Sequence, residues 1–248
     1  MFEVRVGGLV FESDPRSFDS AFVVEPEGLT GWYDGPGTRG ASVDRPMAHG
    51  AFDLPVFRGV RVVTVSGNII ASSEFELVKL RDSLTGLLAD GELGVLTVAD
   101  SGGSQHVSVR LSGDPKFSPH PSGLEGAFQV AFKAVDPRKY GEQHSFEGST
   151  VQVHHYGNFT ASPVIEVVGP RAAYTVSGPD GRAVQVTQAL AAGQSHRIDF
   201  LKGRVYRNGS LQFGVLSEAN FWTLPPGKRT SMSISSGSMT VHVDDTYM

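Results

Sequence analysis

The sequence predicts a mainly β protein of two domains: an N-terminal β-sandwich with one α-helix and a long loop, then a C-terminal β-sandwich or jelly roll. Three observations predict it. Glycine supplies 30 of 248 residues, well above the usual level of about 7%, and it falls between short β-branched runs, as tight turns require. Most apolar residues alternate with polar ones at period two, the pattern of half-buried strands. A single segment, residues 72–91, carries apolar residues at helical spacing instead.

The elements follow in order. "FEVRV" opens the chain and "FVVE" follows near residue 22. Residues 25–57 read as irregular, rich in glycine and proline yet carrying Trp32, Tyr33 and Phe52. A structureless stretch this long is uncommon in a compact domain and is usually functional. Flexible linkers seldom carry large aromatics, so this arm is expected to lie over a surface. "VRVVTVSGNII" (60–70) puts Val63, Val65 and Gly67 on one strand face. A helix is expected over 73–90, with Ser73 as N-cap, Glu76 at capping-box spacing and Gly91 as the terminating glycine. Its stripe of Leu77, Leu80, Leu84, Leu87 and Leu88 would pack on a sheet. "LGVLTVAD", "QHVSVRLSG" and "GAFQVAFKAVDP" are strands, the last with Phe128, Val130, Phe132 and Ala134 on one face and Pro137 ending it.

The texture changes near 140–148, which divides the chain into residues 1–142 and 143–248. The second part is a succession of short strands from "TVQVHHY" to "MTVHVDD", broken by turn signals such as "GPDG" (178–181) and "NGS" (208–210). That spacing reads as an all-β sandwich or jelly roll.

Composition excludes several classes. Cysteine is absent, which removes disulfides, thiol nucleophiles and thiolate zinc sites. No run of about 18 apolar residues suggests a membrane span, and "MFEVRVGGLVFESDP" lacks the apolar core of a signal peptide, so synthesis in a cytoplasm is expected. Residues 1–142 hold 13 Lys/Arg and 19 Asp/Glu, whereas residues 143–248 hold 8 and 7. Neither part has the basic cluster of a nucleic-acid binder.

The stretches that could carry chemistry read as architecture. His154 and His155 are neighbours on a strand and point to opposite faces, so one metal cannot take both. With Val151 and Val153 inward, His155 falls inside and His154 outside. Asn158-Phe-Thr160 and Asn208-Gly-Ser210 match the glycosylation triplet, but turn chemistry explains them without an export signal. Asp244 and Asp245, beside His242, read as a solvated tail rather than an acid–base pair. There is no GxSxG elbow, P-loop or GxGxxG, and His49 has no identifiable nucleophile to serve. No catalytic residue, metal site or cofactor is expected. Asn158 to Pro163 leads into a strand in which Val164, Glu166 and Val168 alternate with Ile165 and Val167, Pro163 being tolerated at its start.

The succession of Arg39, Arg45, "HG" (49–50), "RVVTVSGNII", the helix, "FKAVDPRKYG" (132–141), "NFTASPVIEVVG" (158–169) and "RIDFLKGRVYRNGS" (197–210) resembles the distal tail proteins of long-tailed bacteriophages, the Dit-like, siphovirus-type tail components. The "DP-x-x-YG" strand end and the Asn-x-x-x-x-Pro-x-Ile strand start are the most distinctive phrases, and the likeness spans nearly the whole chain.

The resemblance implies a tail-tube-like N-terminal sandwich that forms a homo-hexameric ring, and a peripheral, galectin-like C-terminal sandwich. Such a ring joins the tail tube protein to tail-tip, tail-associated or receptor-binding proteins of the baseplate in the virion. DNA passes through its lumen during ejection without specific binding. Six copies of a first domain with a balance of −6 would surround that channel with negative charge, which repels phosphate. The arm at 25–57 corresponds to a belt reaching over the neighbouring protomer. Trp32, Tyr33, Arg39, Arg45 and His49 are the expected subunit contacts, since Trp, Tyr and Arg are enriched in interface hot spots. The rival readings are a carbohydrate-binding sandwich that attaches to a host glycan, for which Trp222 and the tyrosines of the second half could supply platforms, and a cell-wall hydrolase, for which no motif is present.

Overall fold

The computed structural model describes residues 1–14 and 20–248 and divides into two compact units, Met1–Lys139 and Tyr140–Tyr247. The division falls three residues before the sequence-based boundary.

In the first unit the strands are β1 (Glu3–Val6), β2 (Leu9–Glu12), β3 (Ser20–Thr30), β4 (Thr38–Arg39), β5 (Phe57–Arg58), β6 (Arg61–Ala71), β7 (Gly94–Asp100), β8 (Gly103–Leu111), β9 (Lys116–Pro119) and β10 (Glu125–Ala134), with helix α1 (Glu74–Thr85) after β6. The sheet order is β8-β7-β1-β2-β3-β6-β10-β9, and a further pairing of β8 with β10 closes the sheet on itself. Closure occurs where Phe132 meets Leu111 and Lys133 meets Arg110. The expected sandwich is thus sealed along one side, with β9 left as an outer edge. Neighbours are antiparallel except β2 and β3, which run parallel through Phe11 and Phe22.

Alternation places the core. Along β6, Arg61, Val63, Val65, Gly67, Ile69 and Ala71 face inward; along β10, Gly126, Phe128, Val130, Phe132 and Ala134 do so. Phe11, Phe22 and Phe128 form an aromatic triangle with centroids 5.0, 5.4 and 5.7 Å apart. Each such ring, fully buried, contributes on the order of 1.5–3 kcal/mol.

The helix begins as expected, with the Ser73 hydroxyl accepting from the Glu76 amide. It stops earlier, at Thr85, with Gly86 as C-cap. Leu88 then adopts φ +50 and Gly91 φ +74, so residues 86–91 form successive turns rather than a last helical turn. The stripe still works: Leu77, Leu84 and Leu87 are buried in the same core as the strands, and Leu87 packs on the β1–β2 turn at Gly7.

The second unit contains β11 (Lys139–Gly148), β12 (Thr150–Val153), β13 (Val164–Val168), β14 (Tyr174–Ser177), β15 (Ala183–Val186), β16 (Ser195–Asp199), β17 (Arg204–Arg207), β18 (Ser210–Gln212), β19 (Leu216–Ala219), β20 (Thr230–Ile234) and β21 (Met239–Tyr247). Two layers form, β18-β17-β16-β13-β21-β11 and β12-β20-β14-β15-β19. Ile165, Val167, Ile198 and Val241 on one layer share a core with Val153, Val176, Val184 and Met232 on the other, which is the face-to-face packing of a β-sandwich. Trp222 is 3% exposed and lies edge-on to Phe200, centroids 4.7 Å apart. It is a core residue and no sugar platform.

Asn158 to Pro163 carries the chain into β13, and Gly157 is the reason it passes. A Cβ there would lie 2.0 Å from the Thr246 carbonyl oxygen, so only glycine allows the backbone beside β21. Gly157→Ala is expected to destabilise the second unit by at least about 2 kcal/mol, read as a lower urea midpoint, while Ala at the open position Gly35, where nothing lies within 4 Å of an added Cβ, leaves the midpoint within error.

Candidate assembly interface

The arm is ordered by its own backbone. Residues 25–30, expected to be irregular, continue β3 past a bulge between Val24 and Leu29, after which Leu29 and Thr30 pair with Val65 and Thr64. A bulge accommodates Pro26, which cannot donate to a ladder. Beyond Gly37 the chain forms a two-stranded ribbon rather than a loop. Gly59 donates to the Gly37 carbonyl at 2.6 Å, Thr38 pairs with Arg58 and Arg39 with Phe57. Phe52 then donates to Val43, and Arg45 to Gly50, closing the tip at residues 46–49.

The ribbon covers almost nothing of itself. Residues 37–50 and 52–58 are all exposed. Among them Phe52 is 52%, Val56 63%, Phe57 63% and Met47 fully exposed. A lone two-stranded ribbon is marginally stable in water, and Phe52, Val56 and Phe57 leave apolar area in solvent on one short segment.

The root of the ribbon is the opposite case. Gly31, at φ +74, turns the chain where a Cβ would lie 1.9 Å from the Val62 carbonyl oxygen, and Trp32 drops into the core at 2% exposure. Arg61 is 1% exposed. Its Nη1 donates to the carbonyls of Gly31 (2.8 Å), Trp32 (3.2 Å) and Asp34 (2.7 Å), and its Nε donates to Pro137 (3.0 Å). Lys139 Nζ donates to the Trp32 carbonyl at 3.2 Å and sits 4.8 Å over the Trp32 ring. Two buried cations therefore hold the main-chain carbonyls of Gly31, Trp32 and Asp34 by charge-assisted hydrogen bonds. Burial lowers the pKa of both. Lys139, with Arg61 adding repulsion and Asp100 opposing, is held down to about 8; Arg61 is lowered by burial, with Asp34 opposing. The Tyr33 hydroxyl donates to Asp100 at 2.9 Å, and partial burial together with that carboxylate pushes it up to about 12.

These positions sort the expected contact residues. Trp32 is a correction: its side chain is consumed by its own core and cannot meet a neighbour. Tyr33, 58% exposed, belongs to the root. Arg39 and His49 lie exposed on the ribbon, and Arg45 stands 5.8 Å over the Phe52 ring. Arg61 and Lys139 were not among the expected residues, although an arginine two positions before Val63, in the inward phase of β6, is a readable signal.

The histidines and acids of the second unit hold structure. His155 is fully buried, its Nε2 donating to the Leu224 carbonyl at 3.3 Å and its Nδ1 accepting from the Gly157 amide at 3.2 Å. His154 faces outward to the Tyr156 hydroxyl at 3.2 Å. Asp244 and Asp245 are not a solvated tail, because β21 extends to Tyr247. Asp245 is 6% exposed and accepts from the Tyr156 amide at 2.6 Å, with His144 Nε2 at 3.1 Å. Asp244 instead accepts from Gln143 at 2.9 Å, so the two carboxylates face apart. Among the described residues no three His, Asp or Glu side chains converge as metal ligands.

Residues 156–247 match the sequence model of the family described as siphovirus-type tail component, C-terminal domain. No curated protein sequence matches the chain. Among solved structures, the crystal structure of SPP1 Dit, described as a paradigm of the hub adsorption apparatus in phages infecting Gram-positive bacteria, aligns over 100% of both chains with a TM-score of 0.79 at 16% identity. A chain of the phage P2 baseplate in its activated conformation with Ca aligns over 98% of both chains, with a TM-score of 0.51 at 8% identity. The resemblance to distal tail proteins thus holds in sequence over residues 156–247 and in fold over the whole chain.

The root makes a signed prediction. An unfolded Lys139 titrates near its ordinary 10.5, the folded one near 8. Between these values the unfolded chain binds more protons, so stability rises with pH; below pH 8 the full burial penalty applies. From pH 8 to 10 the first unit should gain about 2 kcal/mol from this group, and Lys139→Met should flatten the rise in urea unfolding followed by Trp32 fluorescence. Tyr33 acts oppositely, its stabilisation being lost as pH climbs from 10 towards 12.

Proposed function

We propose that this chain, with the fold of a distal tail protein, is a structural component of a phage tail. Six copies close into a ring between the tail tube and the tail-tip or baseplate proteins. The first unit forms the ring, the second projects as a peripheral sandwich, and the channel lets DNA pass. The observation that carries the reading is the ribbon, with a root fixed by two buried cations and apolar side chains that its own chain leaves in water. A ring interface is head-to-tail: one patch meets a different patch on the next copy, and rotation closes the set. A projecting ribbon and a receiving surface satisfy that requirement. The role is mechanical, so no catalytic residue is invoked, and the acidic balance of residues 1–142 suits a channel that must not grip phosphate.

A second role for the outer unit has one observation in its favour. Tyr156 is 67% exposed and is braced edge-on by His144 and His154, centroids 5.4 Å away in both cases, a rigid aromatic face of the kind on which sugar CH groups stack. Glycan-array binding lost in Tyr156→Ala would support it; an array that is blank at high protein concentration would remove it.

For the ring, native mass spectrometry of the full chain should give a six-protomer species. Paired Phe52→Asp and Val56→Asp substitutions should raise the dissociation concentration at least tenfold with circular dichroism unchanged. Assembly that is indifferent to both substitutions would overturn the reading.

A further inference from the structure

We infer that the second unit carries a binding site for a saccharide bearing one anionic group, in the cleft between the β16–β17 loop and the β18–β19 connection. This site is independent of the ring reading above. The cleft has a volume of about 410 Å³, within the usual range of small-ligand sites. Lys202, Arg204, Leu211, Gln212, Phe213 and Val215 are among its lining residues, and no carboxylate is among them. It opens where β18 ends one layer and β19 ends the other, so main-chain donors and acceptors of two strand edges are at hand for sugar hydroxyls.

The charge in the cleft is that of a single free cation. Lys202 is committed, its ammonium lying 3.5 Å from Asp199, which also accepts from the Lys202 amide at 3.0 Å. Arg204 is exposed, and none of the ion pairs among the described residues engages its guanidinium. That planar fork matches a phosphate or a carboxylate through two parallel hydrogen bonds.

Phe213 supplies the second half of the chemistry. Its ring is 84% exposed, yet the backbone on both sides of it is fixed. On one side, the Gln212 amide oxygen accepts from Gln188 at 3.1 Å, and its nitrogen donates to the carbonyls of Ser210 (2.8 Å) and Leu211 (3.2 Å). Gln188 in turn accepts from His196 Nε2 at 3.0 Å, and the Tyr174 hydroxyl donates to His196 Nδ1 at 3.0 Å. His196 and Tyr174 are 0% and 2% exposed, so this chain of bonds ties the cleft wall to the core. On the other side, Gly214 turns at φ +65, and the Val215 carbonyl accepts from both the amide and the hydroxyl of Thr187, at 2.8 and 3.0 Å.

An aromatic ring kept in water on a rigid mount, in the same cleft as a free guanidinium, offers a flat apolar face and an anion contact together. The CH face of a sugar ring stacks on the first while its acidic substituent meets the second. A nucleobase also stacks on an aromatic ring. Here, though, Gln212 has spent its amide, and the lining holds no other amide, carboxylate or hydroxyl side chain to read a base edge.

The test is saturation-transfer NMR observed on the ligand, with the full-length chain, which reads binding in any assembly state. The probes are glucose 6-phosphate, glucuronic acid, glucose and adenosine monophosphate, with inorganic phosphate added as a competitor. Glucose 6-phosphate or glucuronic acid should bind at least about tenfold more tightly than glucose, the tighter of the two naming the anion. Arg204→Gln should remove that preference, and Phe213→Ala should weaken every sugar by about tenfold. Both positions are exposed, so circular dichroism of the two variants should match that of the unaltered chain. Tyr156→Ala should leave the acidic sugars bound. Equal binding of glucose and the acidic sugars, or no saturation transfer to either acidic sugar, overturns the site. So does full displacement by equimolar inorganic phosphate, which marks an adventitious ion only. Tighter binding of adenosine monophosphate than of any sugar, or loss of binding in Tyr156→Ala, overturns it as well.

Discussion

A guanidinium with 1% of its surface in solvent must replace the water it has lost, bond by bond, or shed its charge, which arginine does not do. Arg61 finds its partners in main-chain carbonyls at Gly31, Trp32, Asp34 and Pro137. These are the two segments that leave the barrel beside the start of β6: the chain running out into the ribbon and the chain leaving β10. Carbonyls carry no net charge and leave the ion unneutralised; Asp34 supplies attraction to Arg61, as Asp100 does to Lys139. The satisfaction is uneven: Nη1 spreads two protons over three carbonyls, while Nη2 is buried with no hydrogen-bond partner, so the root carries an unmet donor of the kind that costs more than an ordinary hydrogen bond contributes.

This arrangement explains how an exposed ribbon can still be aimed. A two-stranded element with little apolar cover has no internal reason to hold a direction. Here the direction is imposed where the ribbon begins: Trp32 is sunk in the core beneath the Lys139 ammonium, and Gly31 permits a turn that a side chain would block. Rigidity at the base with solvent-exposed apolar groups beyond it lowers the ordering cost of association, since less freedom remains to be lost on docking.

Much of this was legible in the chain, and the exceptions have physical causes. The inward faces of β6 and β10, the Ser73 cap, and the opposite orientations of His154 and His155 all follow from local periodicity, which tertiary packing here reinforces. The helix end was not legible, because Leu87 and Leu88 keep helical spacing while the backbone has already turned to satisfy β7. Trp32 misled for a different reason. An aromatic within glycine and proline reads as exposed, but its burial depends on Arg61 and Lys139, which lie 29 and 107 positions away in sequence. Asp245 belongs to the same class: a terminal acidic pair reads as solvated until β21 is known to place one member beside the Tyr156 amide.

The closing of the first sheet narrows where a partner can bind. A barrel seam hides strand edges, and the pairing of β8 with β10 uses edges that an open sandwich would leave available. β9 is the strand left outside that seam, and α1 is the element that turns an apolar side outward next to it. An edge that persists beside a sealed sheet is a liability unless something occupies it. The ribbon has the complementary problem, with strands but no layer to rest on. The ribbon and the β9 edge are thus two places where the first unit's own chain, among the described residues, leaves strand edges or apolar side chains in solvent.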